Sequence, residues 1–240
     1  MRLKWFVPKL VLALTLTGMV GSAEAISWNL TGSGNQGWIG NERIFRVDDI
    51  TVTATAWSYY NGSFREARLG RWSTGLGICN HRESCGSPVH QVDNTGLNEY
   101  VLFQFSTAVD PLTVRIDPAG TYDRDVSYWT GIVTLPADRL LGETYGSLGS
   151  FGFSGRVDDD GTRDYRPRDV FINNSDPVTA LLFGAKYYGG GDGADYFKIT
   201  NVTGDPVQVP EPSSVWLLGL GLLALSWMAK RSRLTSRRDC

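Results

Sequence analysis

The chain has 240 residues, with 23 Lys and Arg against 25 Asp and Glu, a formal net charge of −2. Setting aside Glu24, Glu211 and Asp239, together with three basic residues at the start and five at the end, leaves 22 carboxylates facing 15 cations, a net charge of −7. That balance excludes nucleic acid as a partner, because phosphate backbones are bound by clustered Lys and Arg.

At the N-terminus Arg2, Lys4 and Lys9 precede an apolar stretch over 10–20, and Ala23 and Ala25 flank Glu24 at the small-residue positions read by a signal peptidase. The pattern predicts a secretory signal peptide over 1–25, too short to span a bilayer comfortably and followed by no stop-transfer charge. The mature chain is expected to begin at Ile26.

From 26 to 208, about 185 residues form one domain's worth of chain with an apolar periodicity near two and no convincing helical run. Thr51, Thr53 and Thr55 alternate with apolar neighbours over 50–56, as a half-buried strand requires, and Val101, Phe103 and Phe105 share one face of another. Further strands are expected over 64–69, 112–117, 127–133, 151–157, 170–173, 178–187 and 196–202, separated by Gly, Pro, Asn or Asp. Around ten strands without an internal repeat predict an all-β fold, a single β-sandwich of jelly-roll-like type over 26–208.

Cys79 and Cys85 enclose a short loop in an exported chain, where thiols are oxidised, so a disulfide is expected. The alternative groups Cys79, His81, Cys85 and His90 around zinc, with a spacing unlike a zinc finger. Asp158, Asp160, Asp164 and Asp169 fall near Gly161, where a hard cation such as calcium would relieve their repulsion. A solvated turn neutralised by Arg156, Arg163, Arg166 and Arg168 is the competing reading, and no other cofactor is indicated. Gly190, Gly191, Gly193 and Asp195 fit one unit of the calcium-binding nonapeptide G-G-x-G-x-D, but a single copy has no neighbour to complete a site and reads as a hairpin turn.

The C-terminus has three parts: Val209, Pro210, Glu211 and Pro212; an apolar run over 215–229; and the basic cluster of Lys230, Arg231, Arg233, Arg237 and Arg238. As a helix the run measures about 22 Å against a hydrocarbon core of about 30 Å, enough to span with local thinning. Trp216 and Trp227 sit near its ends, and Lys230, Arg231 and Arg233 act as stop-transfer charges that hold the tail in the cytoplasm. A transmembrane helix over 215–229 is expected, with the ectodomain outside.

This ending resembles the PEP-CTERM sorting signal of exosortase-dependent proteins, here over 209–240. The resemblance implies that an exosortase-type processing enzyme recognises Pro210, Glu211 and Pro212 as substrate and cuts near them. The two prolines favour the extended form that a processing cleft accepts. The stretches 75–79, 91–94 and 99–105 also resemble the ectodomain of some exosortase-dependent surface proteins, which implies a β-rich extracellular domain and brings no catalytic residues.

Catalysis is not expected. His81 and His90 are the only histidines, and neither lies near a signature such as G-x-S-x-G. The reading is an exported protein, first a membrane-anchored precursor and then at the cell surface or in the extracellular matrix, with a structural or adhesive role in the exopolysaccharide layer. Two alternatives are a carbohydrate-binding module, with Trp57, Tyr59, Tyr60, Trp72, Tyr128 and Trp129 as candidate stacking rings, and a secreted glycoside hydrolase built on paired carboxylates.

Overall fold

The computed structural model describes residues 24–32, 40–85, 90–120, 122–133, 136, 140–161, 163–174, 176–187, 193–207, 219 and 222. The strands, in chain order, are β1 Ile26–Asn29, β2 Glu42–Val47, β3 Ile50–Tyr60, β4 Ser63–Glu66, β5 Arg68–Trp72, β6 Gly75–Cys79 and β7 Val92–Asp93. They continue with β8 Asn98–Pro118, β9 Val126–Gly131, β10 Val157–Asp159, β11 Arg168–Phe171, β12 Val178–Ala185 and β13 Tyr196–Pro206. All thirteen belong to one antiparallel sheet, so the all-β expectation holds.

The sheet is continuous because β8 is its spine. The first half of β8 lies between β3, with Ala54 opposite Phe103, and β12, with Phe183 opposite Val101. Its second half lies between β13, with Val202 opposite Val114, and β11, with Val170 also opposite Val114. The sequence places the strand of Val101, Phe103 and Phe105 apart from the one over 112–117; the structure joins them. Pro111 is accommodated where the register against β13 shifts between Thr203 and Gly204, a position at which a missing N–H costs little.

The two halves close on one apolar core. Val52, Ala54, Val101 and Phe103 from one half meet Trp28, Val114, Phe197 and Ile199 from the other, with Phe183 and Phe197 edge to face at 6.2 Å. Each buried Val, Ile or Phe among them contributes about 1.5–3 kcal/mol. The opposite face of β3 and β8 carries Trp57, Tyr100 and Leu102, and these pack under a segment that includes a 3₁₀ helix at Tyr145–Phe151. Both faces of the central strands are therefore covered, and Thr55, expected on a wet face, is buried and accepts the Trp57 indole N–H at 2.9 Å.

Two strand expectations are corrected locally. The expected strand 64–69 is divided at Ala67, where the chain leaves β3 as a partner and takes up β6 instead. The stretch 151–156 is not a strand, and β10 begins only at Val157. Gly152 caps the 3₁₀ helix with a left-handed φ of 94°, and only Phe153 bridges back, to Gly131. Among the described residues no helix is long and apolar enough to cross a membrane. The signal peptide, apart from Glu24 and Ala25, lies outside the described residues. So do Pro210, Glu211, Pro212, Lys230, Arg231, Arg233 and the 215–229 run, apart from Gly219 and Leu222.

Candidate functional site

Strand β6 is buried at every position, and at its end Cys79 is bonded to Cys85 with Cα atoms 5.8 Å apart. The bridge consumes both thiols, so the Cys79, His81, Cys85 and His90 zinc set is replaced by the disulfide. The closed loop carries Glu83. Beyond it, β7 supplies Asp93, held by a turn in which Asp93 Oδ1 accepts the Thr95 N–H at 2.8 Å. Glu99 rises from the start of β8 and is fully buried.

These three acids, from three elements, meet with one carboxylate oxygen each lying within 4.8 Å of the others. Glu99 Oε1 accepts Asn80 Nδ2–H at 3.0 Å and Oε2 accepts the Asp93 N–H at 3.2 Å. His90 donates Nε2–H to the Ser84 carbonyl at 2.7 Å and turns Nδ1 toward Glu83 at 3.5 Å. Burial raises all three carboxyls. Glu99 is lifted well above its ordinary value, first by burial and then by repulsion from Asp93 and Glu83. Asp93 is lifted to about 7, with burial dominant and the Thr95 N–H opposing it. Glu83 is raised by burial and drawn back chiefly by His90. Beside them, Lys198 lies 3.6 Å over the Trp72 ring and donates to the His90 carbonyl at 2.9 Å; burial lowers it to about 8.

A second acidic cluster lies beyond Asn94. Asp123, Asp125 and Asp195 also bring one oxygen each within 4.8 Å. Here hydrogen bonds and cations answer the charge. Asp195 accepts Asn94 Nδ2–H at 2.7 Å and the Asp125 N–H at 2.9 Å, while Asp125 accepts the Gly161 N–H and faces Lys186 Nζ at 3.4 Å. Asp123 accepts the Arg124 N–H at 2.9 Å and has Arg163 Nε at 3.7 Å.

The aspartates singled out in the sequence do not converge. Asp158 accepts Ser127 Oγ–H at 2.6 Å and pairs with Arg156, and Asp160 pairs with Lys186 at 2.6 Å. Asp164 caps a turn through the Arg166 N–H, and both oxygens of Asp169 face Arg115 Nη1 at 2.9 Å. The nonapeptide-like stretch is described only from Gly193 onward; its Asp195 finds acidic neighbours, Asp123 and Asp125, in the segment before β9. Of the candidate stacking rings, Trp57, Trp72, Tyr128 and Trp129 are buried, Tyr59 stacks on Tyr145 at 3.7 Å, and Tyr60 is covered by Arg82. What sequence reasoning missed is the meeting of Glu83, Asp93 and Glu99. The available signal was Glu99, the one acid in the largely apolar stretch 99–105.

Residues 208–232 match the PEP-CTERM protein-sorting motif family. No curated protein and no solved structure matches the chain. The motif indicates exosortase-dependent sorting to the cell surface and implies processing by an exosortase-type enzyme.

Proposed function

We propose that this chain is a non-enzymatic surface or extracellular-matrix protein with a structural or adhesive role in the exopolysaccharide layer, reached by way of a membrane-anchored precursor. The observation that carries this reading is the sorting motif at 208–232, joined directly to a disulfide-bonded all-β body. We read that folded-over sheet as a sandwich of jelly-roll-like kind. The buried carboxyls support the non-enzymatic part of the reading: Glu99 has no exposed surface, and a hydrolase acid must reach its substrate. Calcium at Asp158, Asp160, Asp164 and Asp169 is not part of the proposal, since each has a partner of its own. The carbohydrate-binding alternative loses its main support with the burial of its tryptophans.

The test is mass spectrometry of the protein recovered from membrane, surface and medium of cells with and without their exosortase. The expected mature chain begins at Ile26 and ends near Pro210–Pro212 only when the enzyme is present. Recovery of the chain intact through Cys240 in every fraction of both strains would refute the reading.

A further inference from the structure

We propose that Glu83, Asp93 and Glu99, with the side-chain oxygen of Gln91, form a binding site for a hard divalent cation of calcium type. The second observation, beyond the acids themselves, is Gln91. It is only 7% exposed, and its Oε1 is buried without any hydrogen-bond partner. A buried amide oxygen left unpaired costs about 1–3 kcal/mol, so such atoms are rare unless something binds them. Gln91 stands two residues from Asp93 along the extended approach to β7, which puts the two side chains on one face. With Glu83 and His90 they line a cavity of about 310 Å³. Glu83 Oε2 is likewise buried without a hydrogen bond, with His90 Nδ1 at 3.5 Å.

The donor set is oxygen throughout: three carboxylates and one amide. That composition favours calcium over zinc, and with up to three anionic ligands it overcomes the hydration of a hard cation. Calcium takes 6–8 oxygens, so the protein supplies about half and water from the cavity the remainder. The anchors are rigid. Asn80 and the Asp93 N–H fix Glu99, the Thr95 turn fixes Asp93, and the Cys79–Cys85 bridge holds the loop that carries Glu83. The cation would thus tie the disulfide loop to the spine strand β8. The Asp123, Asp125 and Asp195 cluster is no rival, because Asn94, Lys186 and backbone N–H groups already answer its charge.

The experiment uses the full chain in mild detergent, stripped with EGTA and titrated with calcium chloride by calorimetry and by thermal melting. The expected result is one site with Kd of about 10⁻⁴–10⁻³ M, the range of extracellular calcium modules, and a melting point higher by about 4 °C at 10 mM calcium. Glu83→Gln, the least buried of the three acids, should weaken binding at least tenfold while the calcium-free melting point holds or rises; Gln91→Leu should also weaken it. The double variant Asp158→Asn/Asp164→Asn should bind as the parent does. No binding by the parent chain overturns the proposal. So does binding unchanged in Glu83→Gln and Gln91→Leu, or a preference for zinc that disappears in His90→Ala.

Discussion

Asn94 and Asp195, 101 residues apart, hold each other through two reciprocal bonds: Asn94 Nδ2–H to Asp195 Oδ2 at 2.7 Å, and the Asp195 N–H to Asn94 Oδ1 at 2.9 Å. Both residues are buried. This link joins the β7–β8 turn to the start of β13. Asn94→Ala would leave a buried carboxylate short of a donor and a buried N–H short of an acceptor. The expected loss is about 2–4 kcal/mol, measured as a lower urea midpoint at unchanged slope. A loss below about 0.5 kcal/mol would mean that water replaces the amide.

Reduction of the Cys79–Cys85 bridge should cost about 2 kcal/mol by the loop-closure argument, since the cysteines are six residues apart. Cys79→Ser/Cys85→Ser is the clean comparison. Its melting point should fall by several degrees. Dithiothreitol should lower the parent's melting point and leave the variant's alone; equal sensitivity in both would place the effect elsewhere.

Lys198 makes stability rise with pH on the alkaline side. Its folded value is lowered by burial to about 8, below the ordinary 10.5 of the unfolded chain. Between those two values the unfolded state binds more protons, so stability increases as pH climbs from about 8 to 10.5, by up to roughly 3 kcal/mol. The Trp72 ring and the His90 carbonyl favour the charged form and reduce that figure. Lys198→Met should flatten the slope over this window, read from urea midpoints at a series of pH values. A parent protein whose stability is flat or falling from pH 8 to 10 would contradict the assignment.

Gly184 in β12 has no room for a side chain: a Cβ there would strike the Glu99 carbonyl oxygen and the Tyr100 ring. Because the oxygen belongs to the paired backbone of β8, it cannot yield without breaking the ladder. Gly184→Ala is expected to destabilise by more than about 3 kcal/mol and to lower soluble yield sharply. Gly155→Ala, in open space, is the control and should fold like the parent.

Much of this protein was legible because it depends on neighbours along the chain. The alternation at Val101, Phe103 and Phe105 marks a core face whatever strand it pairs with, and these three side chains do enter one core. The spacing of Cys79 and Cys85 in an exported chain likewise points to their bond. Trp57 and Trp129 were less legible. Alternation assigns a residue to a face but cannot say whether a second layer covers it, and here the segment carrying Leu140, Leu148 and Phe153 does so.

The strand-rich body and the C-terminal sorting ending were thus legible in the sequence alone, since each is a local pattern of apolarity, charge and proline read over a few residues. The meeting of Glu83, Asp93 and Glu99, and of Asn94 with Asp195, was decided only by the fold. Such convergence depends on which strands pair and in which register, and that choice is made by burying the apolar core as a whole, over separations of up to a hundred residues that no local pattern encodes.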